Sequence, residues 1–158
     1  MDVHTPDGSS SELVIMTIGT ADSGGTMYPV GSAIAEIMTA HDSNVKVNIS
    51  ASSGSEMNAA RLASGEYDLG LVSGDVAYNA FNGGGGYETP LDDLRVIAAV
   101  YSSISNWVVA AESDVFYVND LHNRRMSIGP QGSTTDLSAR IAMEIIGIKE
   151  PAATLYNY

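Results

Sequence analysis

Apolar residues recur along the chain in two alternating patterns from Leu13 onward. Leu13 to Thr20 is a short run rich in Ile, Val and Thr, the signature of a buried strand. Small residues from Gly19 through Gly25 form a loop. Pro29 then suits the first turn of a helix, and Val30, Ile34, Ile37 and Met38 follow at helical spacing up to His41. Val45 to Ala51 alternates apolar and polar positions, a second strand. Ser52 to Ser55 is another small-residue loop, and a helix runs on to Ser64 with Gly65 past its end. Asp68 to Ser73 predicts a third strand. Asp75 is placed to cap a short helix through Phe81.

The second half of the chain continues the alternation. Gly83 to Gly86 is a glycine loop. Leu94 to Ser102 and Asn106 to Ala111 predict two more strands, with Trp107 in the core. Val118 to Asn123 reads as a short helix and Met126 to Gly129 as a strand. A helix spans about Thr135 to Ile146 and ends at Gly147. Ala153 to Tyr156 begins a further strand. This order predicts an α/β fold with a mostly parallel sheet and flanking helices. In such sheets ligands bind beyond the carboxyl ends of the strands, near helix N-termini.

Composition narrows the function. Of 158 residues, 44% are hydrophobic and 16% charged, which is enough apolar material for a core. The net charge is −12 and Lys plus Arg total 7. That balance excludes nucleic acid and anionic membrane surfaces as partners, because phosphate contacts need cations. Zero cysteines exclude disulfides and thiolate metal sites. No apolar run approaches the ~20 residues that span a bilayer. Residues 1–12 lack the basic and apolar regions of a signal peptide and read as an arm.

Three loops share one layout of strand, small hydroxyl and glycine residues, then helix. They are Gly19 to Thr26, Ser52 to Ser55, and Gly129 to Thr135. Glycine admits a ligand to the backbone, and first-turn N–H groups with the helix dipole favour an anion. Each loop alone is also what an ordinary helix start looks like. Together they point to a carboxylate site built from neutral donors. The candidate ligand residues are Ser23, Gly24, Gly25, Thr26, Tyr28, Ser53, Ser55, Asp75, Tyr101, Ser133, Thr134 and Thr135. Asp75 is equally a helix cap, and Tyr28 and Tyr101 serve a core as well as a pocket wall.

Other chemistries lack their residues. No Lys stands in these loops, so there is no P-loop, and no Gly-x-Gly-x-x-Gly follows the first strand. No nucleophile elbow occurs. His4, His41 and His122 have no metal-ligand spacing. No catalytic residue, metal or cofactor is assigned.

The loops also carry a family resemblance. Gly24-Gly25-Thr26-Met27-Tyr28-Pro29 resembles the Gly-Gly-Thr-Tyr-Tyr-Pro segment of the TAXI family, the extracytoplasmic solute receptors of TRAP transporters. Gly54-Ser55-Glu56-Met57-Asn58 resembles the family's Gly-Ser-x-Glu-Asn. Ser64-Gly65-Glu66-Tyr67-Asp68 is similar to its Ser-Gly-Glu-x-Asp. Asp75 to Tyr78, Asp120-Leu121, and Gly129 to Thr135 match in order. Met27, Met57 and Thr134 depart from the pattern.

The resemblance implies a type II periplasmic-binding fold of two lobes with ligand trapped between them. It places lobe one at 13–104, and a hinge crossing with an incomplete lobe two at 105–158. Family members are about twice as long, so a truncated form is expected. It implies a glutamate-like or other carboxylate ligand, a TRAP-type membrane permease as partner, and a periplasmic or extracytoplasmic location without membrane insertion. An α/β enzyme and a non-binding dimeric interaction fragment are the alternatives.

Overall fold

The computed structural model describes residues 12–148 and the backbone of residues 154–156. The arm expected over 1–12 and the strand start at Ala153 lie outside them, Glu12 excepted. Elements follow the order β1 (Val14–Gly19), α1 (Met27–His41), β2 (Val45–Ser50), α2 (Ser55–Ala63), β3 (Leu69–Gly70) and α3 (Gly74–Asn82). A 3-10 turn (Val118–Leu121), β4 (Arg125–Ser127), α4 (Thr134–Ile145) and β5 (Thr154–Tyr156) complete it. The chain is mixed α/β, with a parallel three-stranded sheet flanked by helices.

The sheet has order β2-β1-β3. Val14 pairs with Val45 and Gly19 with Ser50 along the whole of β1 and β2. β3 adds two residues, Leu69 and Gly70, opposite Ile18 and Gly19. Parallel pairing needs a crossover between strands, and α1 and α2 supply it. All three strands therefore end at one edge, where the first two candidate loops begin. β4 and β5 form a separate parallel pair.

Helical spacing decides what each helix covers. Ala35, with Ile34 and Met38, lays α1 on the sheet against Ile18 and Val47. Ala59 of α2 packs with Val76 and Ala80 of α3, and Leu137 of α4 joins that cluster. Leu121, Met143 and Ile148 form a third cluster. The Leu137 contact is apolar glue between the sheet unit and α4.

The segment from Leu94 to Ala111 departs from expectation. Neither predicted strand forms there. Val96, Ile97, Ile104 and Val108 are more than four-fifths exposed, and Trp107 is 44% exposed rather than in a core. The apolar pattern is real, but a strand exists only where a neighbour completes its ladder, and β-propensity expresses packing context. No described segment pairs with this stretch.

Candidate functional site

The site is built on a buried polar layer at the carboxyl edge of the sheet. Thr20, Ser55 and Asn58 are fully buried. Such groups are tolerated only when hydrogen-bonded. Asn58 Nδ2 donates to the carbonyls of Thr20 (2.6 Å) and Leu71 (2.8 Å). Ser52 Oγ donates to Asn58 Oδ1 (2.7 Å) and lies 2.8 Å from the Thr20 carbonyl. Ser52 Oγ also accepts from Gly54 N at 3.0 Å. Thr20 N and Oγ1 both donate to Ser50 O. The first loop is thereby tied to the second.

Ser55 ties the second loop to two more helix starts. Its Oγ accepts from Ser73 N at 3.0 Å and lies 3.2 Å from Thr134 Oγ1. A Cβ on Gly54 would stand 3.3 Å from Ser133 Cα, so the openings of α2 and α4 touch. Ser55, Ser133 and Thr134 of the candidate set thus meet. The other candidates are more dispersed. Ser23, Gly24 and Thr26 are exposed in the first loop. Asp22 occupies two of that loop's amides, taking Gly24 N on its Oδ1 (2.9 Å) and Gly25 N on its carbonyl (3.0 Å). Ser53 is half-buried beside Ser52, and Tyr28 is half-buried in the first turn of α1. Thr135 is exposed one residue past Thr134. Tyr101 stands 42% exposed in the unpaired segment. Its phenol is pushed up from the ordinary range by burial.

One expectation needs correcting. Asp75 does not cap α3; Ser73 does, and Asp75 is an exposed first-turn residue. Ser73 is the residue sequence reasoning missed. Its Oγ is buried with no partner among the described residues. The signal was present, since Val72-Ser73-Gly74 repeats the strand, hydroxyl, glycine, helix layout. The acidic neighbour drew the cap two residues too far.

The helix starts differ in how their first N–H groups are used, and two carboxylates, Glu56 and Asp136, stand beside the α2–α4 junction. Three helices, α1, α2 and α3, begin without a side-chain cap bond. Their first N–H groups remain outside the helical ladder, with the positive dipole end behind them. α4 is capped by Ser133 Oγ, which accepts from Asp136 N. Arg61 is engaged with Glu66 and Tyr67, Arg95 with backbone carbonyls, and Arg124 with Asp114. Arg140 is held by Asp136 at 2.7 Å.

An open cleft of about 1030 Å³ adjoins only the third loop. Thr134, Thr135, Ser138 and Trp107 are on its wall. The first two loops do not reach it.

Residues 18–158, nearly the whole chain, match the NMT1-like family. The chain belongs to the NMT1-like family. NMT1-like chains are periplasmic-binding-protein-like, so the coarse role is solute binding, typically outside the cytoplasm. The parallel sheet flanked by helices is consistent with a periplasmic-binding-protein-like fold. Among the described residues no helix is long and apolar enough to cross a membrane.

A carboxylate contact beside the junction gives this NMT1-like chain a pH dependence. Glu56, in the first turn of α2, lies against Gly132, where a Cβ would fall 2.6 Å from Glu56 Oε2. Asp136 is 3% exposed and accepts from Gly132 N at 2.9 Å. The Glu56 carboxyl is held above its ordinary range, first by burial and then by the Asp136 charge. The folded state therefore holds this proton more tightly than the unfolded chain. The resulting stability is full below the ordinary glutamate range and is lost as pH rises through the raised pKa. Glu56→Gln is expected to raise the urea midpoint at neutral pH and to flatten the profile across that window. Parallel wild-type and variant profiles would contradict this.

Proposed function

We propose that this chain is the solute-receptor subunit of a TRAP-type transporter of the TAXI kind, capturing a small carboxylate between two lobes. The lobes correspond to residues 13–104 and 105–158, and the ligand class is a glutamate-like amino acid or organic acid. The observation that carries the reading is the convergence at Ser55, where the openings of α2, α3 and α4 come within hydrogen-bonding reach of one hydroxyl. The unpartnered Ser73 Oγ supports it. A buried hydroxyl without a partner costs stability, and such a cost persists where a ligand uses the group.

In this reading Ser55 and Ser73 supply donors from one lobe, while Ser133, Thr134 and Thr135 close from the other. Thr26 and the start of α1 add a further uncapped helix end. Gly25, Ser53, Ser23 and Gly24 line the approach. Tyr28 and Tyr101 form walls, and Asp75 faces an ammonium or hydroxyl. Ligand bridging α2 and α4 favours the closed arrangement, which the membrane permease reads.

The test is calorimetric titration with L-glutamate and a panel of amino and organic acids, on wild type and Ser73→Ala. Wild type is expected to release heat with at least one carboxylate. Ser73→Ala is expected to bind it about tenfold more weakly, the loss of one hydrogen bond to a charged group. Its thermal midpoint should equal or exceed that of wild type, because no protein hydrogen bond is lost. No heat from any acid defeats the receptor reading. Unchanged affinity in Ser73→Ala removes Ser73 from the site.

A further inference from the structure

We infer that Asn58 is a positioning residue: one buried amide that fixes the origins of three loops as a single unit. Asn58 is the fourth residue of α2, and asparagine is a poor choice inside a helix. It is also fully buried, where an unpaired amide is costly. Neither local propensity nor burial explains it. Its partners do.

Each partner is the beginning of a different loop. Thr20 is the first residue after β1, Ser52 the second after β2, and Leu71 the first after β3. Asn58 Nδ2 spends one hydrogen on the Thr20 carbonyl and the other on the Leu71 carbonyl, while Oδ1 accepts from Ser52. The strands pack around this group. A Cβ at Gly19 would stand 2.8 Å from Asn58 Oδ1, and one at Gly70 3.5 Å from Asn58 Cβ. Gly19 leaves room for the amide oxygen, while a Cβ at Gly70 would make only ordinary contact with the Asn58 Cβ. The β1–β2 pairing stops at Gly19 and Ser50, so beyond that edge this amide supplies much of the cross-loop bonding.

Mechanically, Asn58 couples the three loops; without it the ties that remain at their origins include Ser52 Oγ to the Thr20 carbonyl and Leu71 N to the Gly19 carbonyl. A rigid donor set loses less entropy on binding, so pre-organisation appears as affinity. That last consequence rests on the receptor reading; the coupling itself does not.

Site-resolved hydrogen exchange tests the coupling without any ligand. Asn58→Leu keeps the volume and removes all three bonds. Val47→Ala, a core change in β2, controls for general loss of stability. With exchange compared at matched global stability, Asn58→Leu should speed amides over 20–26, 52–56 and 71–76 about tenfold more than Val47→Ala does. Ser52→Ala removes the bond to Asn58 Oδ1 together with the contacts of Ser52 to the Thr20 carbonyl and Gly54 N, so its effect on 71–76, which Ser52 does not touch, keeps the test valid should Asn58→Leu not fold. It should produce a smaller acceleration in all three segments. Equal acceleration in Asn58→Leu and Val47→Ala, or a Ser52→Ala effect that does not reach 71–76, overturns the inference. Titration of the same variants with L-glutamate separates the two ideas. If wild type binds nothing while the exchange pattern holds, only the receptor reading falls.

Discussion

Gly54→Ala is expected to pull apart the openings of α2 and α4 and to lower the unfolding free energy by about 1–3 kcal/mol. Gly54 has φ 124° and ψ −151°, a region essentially restricted to glycine. An added Cβ is therefore strained in the backbone. It also meets Ser133, whose Cα would be 3.3 Å away and whose Cβ 3.5 Å. The backbone cannot relax towards α2, because Gly54 N donates to Ser52 Oγ and Gly54 O accepts from Asn58 N. Relief must come from moving Ser133, and Thr134 follows it away from Ser55. The variant should fold with a lower urea midpoint and lose the Ser55–Thr134 contact. In the receptor reading it also loses ligand affinity beyond what Ser73→Ala loses, since an entire helix start is displaced. Chemical denaturation and titration on the same sample check both parts. A wild-type midpoint would show that the α2–α4 junction is looser than 3.3 Å packing requires.

The parts of the fold that depend on local pattern were legible. Val14 to Gly19, Met27 to His41, Val45 to Ser50 and Thr134 to Ile145 agree with expectation to within about two residues, because each carries its own periodicity. The third strand was expected over six residues and pairs over two, since pairing length depends on the neighbour. The 94–111 segment shows the same dependence more fully. Its apolar run fits a strand buried on both faces, yet nothing among the described residues covers it.

The site was legible in outline and not in detail. Strand, small residues, helix is a local motif, so the three loops stood out. That the second and third meet through Ser55 and Thr134, 79 positions apart, depends on tertiary packing. In the sequence Asn58 is one position of a motif and Ser52 one position of a loop, with nothing local to mark either. A buried amide looks like any other asparagine until its partners are known. Ser73 was missed because Asp75 satisfies the capping rule equally well in sequence. The structure leaves Ser73 at the cap without a cap bond.

Gly19→Ala is expected to cost about 1–3 kcal/mol, the range for overpacking a well-filled interior. Gly19 needs no unusual backbone; it is a β1 residue in regular pairing with Ser50 and Gly70. The constraint is space. A Cβ there would lie 2.4 Å from two atoms of the Tyr67 ring and 2.8 Å from Asn58 Oδ1. Neither neighbour is free to give. Tyr67 is 4% exposed, its OH lies 2.8 Å from Ser50 Oγ and accepts from Arg61, and the Arg61 guanidinium stacks 5.2 Å from the ring centroid. Asn58 is fixed by its three bonds. Moving Tyr67 breaks the link to β2, and moving Asn58 releases the loops. Tyr67→Phe keeps the ring and removes the hydroxyl, so it should be milder and leave the loops in place. Pairing Gly19→Ala with Tyr67→Ala, which vacates the ring's volume, should give a combined loss smaller than the sum of the single losses. Strict additivity in that cycle would show that the ring and the strand do not press on each other, and that Gly19 is replaceable.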